Sequence, residues 1–465
     1  MRNLAVITGI LIAGAIIYSV WLWPSPPSWF PDTNGYVEIA ADLEDFQLDE
    51  LHLRPIGYPL ILLLTGATSV DPSEPVPRAL WYVHLLGYLG SVLLCVLVLR
   101  RLEVSYFLLL TFAIVALLPY HVEIFRLVGS DSMALVFLTS GIMAFFLWLW
   151  SEKLAWLLLA SACIPFSALV RPAYQITAVA LIGLTFLLRW TTILSERRQR
   201  LMWTAIALLA GQLLIVGGVM AFNKVRFGAA TVSPMLGYYL TTRTIGFVER
   251  LGPEEFPPVR RVLLDARNEL VTRDESGLRW HRVAIWYARP ELEQATGMDT
   301  VALEGYLLKA NLLLIRRAPT EYLREVARSL AQFWLPDPDW NFQRREWQLL
   351  QYALQSLELL VFFSGFILLS CLSVLAWQVP IRWTRSQLEN RGLQAIGLIV
   401  LGVVLPTTIL TAMVDQGMPR QRESLDLLIL FVAILTPSLL LRIRRNLRQE
   451  SQPSLADTGT PDSQD

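Results

Sequence analysis

The sequence predicts an all-α integral membrane protein with about ten membrane-spanning helices, each a run long enough for ~30 Å of hydrocarbon. Three observations carry that prediction. Hydrophobic residues make up 54% of the 465 positions and charged ones only 17%, against roughly a quarter charged in soluble domains. The mean hydropathy is +0.47. Long apolar runs recur, separated by polar stretches rich in Arg, Pro and Gly.

The first run, Leu4–Trp23, follows Arg2 and ends in Trp-Leu-Trp-Pro with no small-residue cleavage site, so it is expected to remain as an anchor. Further runs lie at Leu80–Leu99, Ser105–Pro119, Met133–Trp150, Leu154–Val170 and Tyr174–Leu188. The last four are Leu201–Phe222, Tyr352–Trp377, Leu393–Met413 and Leu425–Leu441. Lys and Arg concentrate at one set of ends, among them Arg2, Arg100, Arg101, Lys153, Arg197, Arg198, Arg200, Arg382, Arg385 and Arg442. By the positive-inside rule those ends are cytoplasmic, which places both termini inside and the opposite loops outside the inner, cytoplasmic membrane.

Four regions follow: a transmembrane module over 1–222 with a first outer loop at 24–79, an outer amphipathic loop region over 223–351, C-terminal spans over 352–442 and a disordered tail over 443–465. No soluble unit with its own core is expected. Within the second outer region, Leu323, Val326, Ala327, Leu330 and Trp334 recur at helical spacing after Pro319-Thr320-Glu321, which predicts an amphipathic helix at headgroup level.

Composition excludes several functions. Zero net charge leaves no nucleic-acid footprint. The three cysteines fall inside apolar runs, and the four histidines show no ligand spacing, so no metal site is indicated, although paired acids could hold a divalent ion. No phosphate-cradling Gly-rich loop follows a strand, and no cofactor is called for.

The candidate chemistry sits at the outer ends of the spans. Pro31-Asp32-Thr33-Asn34-Gly35-Tyr36 follows the first span. Asp32 is either a helix cap or a base that takes the proton of an attacking hydroxyl; one carboxylate can do both. Leu53-Arg54-Pro55-Ile56-Gly57-Tyr58-Pro59 is a second polar-aromatic knot in the same loop. The next outer turn brings Glu123, Arg126 and Asp131, either a solvated loop or acids at a site, with Ser130-Asp131-Ser132 also a good helix start. Arg171, before Pro172, either snorkels to the interface or binds a lipid phosphate. Arg420 and Arg422, just before the last span, are loop charge or a second phosphate contact.

Taken in order, these motifs resemble bacterial members of glycosyltransferase family 39 and their 4-amino-4-deoxy-L-arabinose transferase-like relatives, in the GT-C superfamily. The residues that carry the resemblance are Asp32-Thr33-Asn34-Gly35-Tyr36, Arg54-Pro55-Ile56-Gly57-Tyr58-Pro59, Ser130-Asp131-Ser132, Arg171-Pro172 and Arg420-Gln421-Arg422. The resemblance implies a GT-C-like fold, a polyprenyl-phosphate-linked sugar donor, and inverting transfer to a hydroxyl of a lipid, glycan or protein. It implies catalytic roles for Asp32 and Asp131 and donor-phosphate contacts from Arg171 and Arg420 or Arg422. Tyr36, Arg54, Tyr58 and Glu123 would support the substrate site. A transporter of lipid-linked saccharide and a non-catalytic scaffold of the cell envelope are the rival readings. A transporter requires ionisable groups deep within the spans, whereas these cluster at span ends.

Overall fold

A computed structural model of the chain describes residues 2–21, 31–47, 53–70, 74–190, 198–273, 283–335, 345–378, 385–414 and 422–450. Among them every regular element is helical. The helices are α1 (Arg2–Trp21), α2 (Pro31–Glu44), α3 (Gly57–Leu64), α4 (Arg78–Arg101), α5 (Tyr106–Ala116), α6 (Pro119–Val122), α7 (Ser130–Ser151), α8 (Leu154–Val170), α9 (Gln175–Trp190) and α10 (Arg198–Gly211). They continue as α11 (Gly218–Phe227), α12 (Leu236–Thr244), α13 (Pro257–Arg273), α14 (Ala284–Thr296), α15 (Thr300–Arg317), α16 (Pro319–Trp334), α17 (Arg345–Gln378), α18 (Arg385–Val414) and α19 (Asp426–Glu450).

Each apolar run is mainly helical over its described residues, and the chain is a multi-pass membrane bundle. Among the described residues, four helical segments are long and apolar enough to cross a membrane alone: Leu4–Trp21, α4, α7 and the continuous run Gln199–Phe227. The burial of these four sets the architecture. In α7, 89% of the apolar window is buried, so it is the central helix, flanked by α4 and α8. In α1 and in Gln199–Phe227 only 22% and 17% are buried, so Ile12, Ile16, Val20, Leu213 and Leu214 turn outward, as suits lipid. α5 has 11 residues, about 16 Å at the helical rise. It stops early because Pro119, which opens α6, is incompatible with a helix running through it.

Close approach in the bundle rests on small residues. A Cβ on Gly211 of α10 would lie 2.1 Å from the Ser161 carbonyl oxygen of α8, and one on Gly141 of α7 would lie 2.6 Å from Ile164. Glycine at these crossings lets backbones meet where a larger side chain would hold them apart.

Two elements differ from expectation. The region expected to be an outer loop is a helical layer, α12–α16, with its own core of Tyr238, Ile245, Val248, Leu263, Ile285, Leu292, Leu303, Leu307 and Leu314. No single one of these helices encloses a core; their apolar faces make one together. Asn311 locks the layer from within, donating to the Gly237 carbonyl at 2.7 Å and accepting from Thr244 at 2.5 Å. α16 is amphipathic as expected, yet it buries Tyr322, Glu325, Ser329 and Phe333 and leaves Leu323 and Leu330 exposed. Its Tyr322 hydroxyl donates to the Met413 carbonyl at 2.8 Å, which seats the layer on the end of α18. The second difference is α19, which continues to Glu450, past position 442 where the disordered tail was expected to begin. Residues 451–465 of that tail lie outside those described.

Candidate active site

The site begins with two helix starts fastened side by side. α2 opens with Pro31-Asp32 and α7 with Ser130-Asp131, so each has an acid at its second position. Proline suits the first helical position because its missing N–H would have no partner there. Thr33 donates its hydroxyl to the Val128 carbonyl at 2.7 Å, and Tyr36 donates to Ser130 Oγ at 2.9 Å. Those two bonds hold the start of α2 against the start of α7. Both acids then sit at the positive ends of neighbouring helices, which favour negative charge. The cap of α7 is Gly129, without a side-chain cap bond.

Each acid has an arginine partner, and each arginine precedes a proline. Arg54 Nη2 donates to Asp32 Oδ1 at 2.5 Å. Arg171 Nη1 donates to Asp131 Oδ1. Arg171 ends α8 in extended conformation, φ −144° and ψ 111°, as a residue before proline prefers. The sequence thus ends the helix at the residue whose guanidinium must leave the helix axis and reach α7.

The two arginine segments also meet. Gly57, two residues after Pro55, packs so closely on α8 that a Cβ there would lie 2.5 Å from the Leu169 carbonyl carbon and 2.6 Å from the Val170 nitrogen. Tyr58 is fully buried behind the pair and meets Tyr36 edge-on, ring centres 5.2 Å apart. Its hydroxyl lies 3.4 Å from His84 Nε2. His84 Nδ1 is 3.1 Å from the Phe125 carbonyl, which can only accept. In the neutral ring Nε2 then accepts from Tyr58.

The acids differ in access. The Asp32 side chain is 32% exposed and the Asp131 side chain 1%. Arg54 stands over two aromatic faces, with its guanidinium carbon 5.9 Å from the ring centres of Tyr36 and of Trp286. Trp286 belongs to α14 and stacks on Tyr238 at 6.0 Å and 12°. The α12–α16 layer therefore reaches the site through an indole. Ser233 reinforces the contact by donating to the Leu53 carbonyl.

Arg422 has a different setting. It is 2% exposed; Nη1 donates to the carbonyls of Phe333 at 3.2 Å and Leu335 at 2.9 Å, and Nε to Asp426 at 3.2 Å. Its guanidinium covers carbonyls at the C-terminus of α16, which lack helical partners. Two residues on, Ser424 hydrogen-bonds the Tyr174 hydroxyl, so the start of α19 abuts the Arg171 segment. Arg420 lies outside the described residues; Glu123 starts a 3₁₀ turn, and its side chain is likewise outside those described.

The structure thus unites Asp32, Tyr36, Arg54, Tyr58, Asp131 and Arg171, and turns Arg422 toward α16. Sequence reasoning missed Trp286 and His84. An ionisable residue inside the apolar run of α4 was a signal for His84. Trp286 lies in a charged stretch and carried no such signal.

No family model and no curated protein matches the chain. Among solved structures it is similar to the archaeal oligosaccharyltransferase AglB from Archaeoglobus fulgidus, in complex with an inhibitory peptide and a dolichol-phosphate. That similarity has a TM-score of 0.48 and 14% identity over 96% of this chain and 52% of that one, so this chain spans about half of AglB's length. It is also similar to ArnT from Cupriavidus metallidurans bound to undecaprenyl phosphate, with a TM-score of 0.38 and 11% identity over 90% of this chain and 78% of that one.

Proposed function

We propose that the chain is a glycosyltransferase that moves a sugar from a polyprenyl-phosphate donor to an acceptor hydroxyl on the outer face of the inner membrane. One observation carries the reading: two helix starts fastened together, each presenting an acid–arginine pair, with only one of the acids accessible. Asp32 is the base. Its carboxylate takes the acceptor's proton as the acceptor oxygen bonds to the anomeric carbon. The bond from that carbon to the phosphate oxygen breaks, and its electron pair leaves with the lipid phosphate. Attack opposite the leaving group inverts the anomeric centre.

Asp131 acts through Arg171. Buried and paired, it fixes the guanidinium toward the shared helix starts, where two positive ends and a fork of donors suit the charge developing on the phosphate. Arg54 holds Asp32 in place and, between Tyr36 and Trp286, keeps a planar orientation. Arg420 is a second candidate phosphate contact, and Glu123 a candidate supporting acid. Arg422 supports the site at a distance by joining α16 to α19.

The test is reconstitution of the purified chain in liposomes carrying polyprenyl-phosphate-linked labelled sugars, with acceptor outside. Label appearing on acceptor, with release of polyprenyl phosphate, supports transfer. Label that changes leaflet while still on its lipid supports a transporter instead. A chain that does neither across a panel of donors fits the scaffold reading.

A further inference from the structure

At the other end of α7 the chemistry is different. α7 has 22 residues, so its far end lies about 30 Å from Asp131 at ~1.5 Å per residue. There a cavity of about 450 Å³ opens between α4, α7 and α8. Arg100 and Arg101 from the last turn of α4, Ser151 from α7, and Lys153 and Trp156 from the start of α8 line it, over the buried Leu147. The volume falls in the ~300–1,000 Å³ range of small-molecule sites.

Nearby acids are committed to other cations. Glu152 pairs with Arg200, which also donates to the Leu149 carbonyl. Glu103 lies 3.8 Å from Arg442, which also donates to the Leu102 carbonyl. Among the described residues no carboxylate is in salt-bridge range of Arg100, Arg101 or Lys153. Three cations from two helices therefore share one cavity. Lys153 is also the N-cap of α8 and provides no side-chain cap bond, so the positive end of that helix adds to the same potential. Like charges held together repel each other, and an anion relieves that cost.

We propose that this cavity binds the phosphate headgroup of an acidic membrane phospholipid. The wall decides between a lipid and a free phosphate: the cations form a rim, whereas Leu147 and Trp156 form an apolar side continuous with the bundle. Trp at such a level is the usual interfacial residue, and basic pockets between spans are suited to lipid phosphates. The site is on the far end from the transfer chemistry and is independent of it.

The test uses the full chain in mild detergent, with native mass spectrometry and thermal unfolding after addition of phosphatidylglycerol, phosphatidylcholine or inorganic phosphate. Wild type retains phosphatidylglycerol in preference to phosphatidylcholine and is stabilised by it. The R100Q/R101Q/K153Q variant binds it at least tenfold more weakly, from a contribution of roughly fivefold per cation. Lys153→Glu, a single exposed change, gives the same direction should the triple variant misfold. Equal retention by wild type and Lys153→Glu, or no preference over phosphatidylcholine, overturns the proposal. Protection by millimolar inorganic phosphate equal to that by phosphatidylglycerol overturns the lipid assignment.

Discussion

Gly57 of α3 lies against the Leu169–Val170 peptide of α8, with only 2.5 Å between the place of a Cβ and the Leu169 carbonyl carbon. That contact couples the segment of Arg54 to the segment of Arg171. Gly57→Ala must push the two apart, and overpacking of this kind costs about 1–3 kcal/mol. Thermal unfolding in detergent should show a lower Tm, with transfer reduced further than the stability loss explains. An unchanged Tm and rate would mean the two segments are not rigidly coupled.

Asp131 and Arg171 should behave as one unit. Arg171→Ala strips a buried carboxylate of its guanidinium, a change worth about 3–5 kcal/mol in buried pairs. Arg171→Lys should recover stability better than activity, because an ammonium is a point charge without the fork. The Asp131→Asn, Arg171→Gln double variant should be less destabilised than the sum of its singles. Additive losses in that cycle would show that the pair is not coupled.

Trp286 should matter to turnover although it lies in the α12–α16 layer, because it faces the arginine that holds Asp32. Trp286→Ala removes one of the two faces over Arg54, a contribution of about 0.5–2 kcal/mol. The expected result is a lowered kcat with donor binding and Tm nearly unchanged, and Trp286→Phe should restore part of it. A variant with wild-type kinetics would confine the indole to packing on Tyr238.

The Lys/Arg distribution predicts the sidedness of the molecule. In a chain with its three cysteines replaced, Glu291→Cys on exposed α14 should react with an impermeant maleimide in intact cells. Arg445→Cys should react only after permeabilisation. The reverse pattern would put the acid pairs on the cytoplasmic side and remove the proposed site of transfer.

Much of this was legible because it is written in local patterns. Ten apolar runs declare ten helices by hydropathy alone. The acid and Arg-Pro motifs stood out because an ionisable group at the end of a span needs a reason. Their pairing was not legible: Asp32 meets Arg54 and Asp131 meets Arg171 only because Thr33, Tyr36 and Gly57 bring distant segments together. The layer of α12–α16 was hidden for another reason. Its core is shared out over five helices, from one apolar residue on α12 to four on α15, and forms only when they pack together. Arg422 shows the limit of reading charge from a loop, since its guanidinium is directed to α16 carbonyls by a contact 89 residues away in the chain.

Asp32 is the accessible member of the two acids and the proposed base. The most direct measurement is the initial rate of sugar transfer by purified Asp32→Asn in liposomes, beside wild type, with Tm and donor-lipid binding recorded on the same samples. Loss of a general base predicts a fall of about 10²–10⁴-fold in rate, with donor binding retained and the fold intact. Turnover close to wild type in a folded, donor-binding Asp32→Asn protein would contradict the assignment.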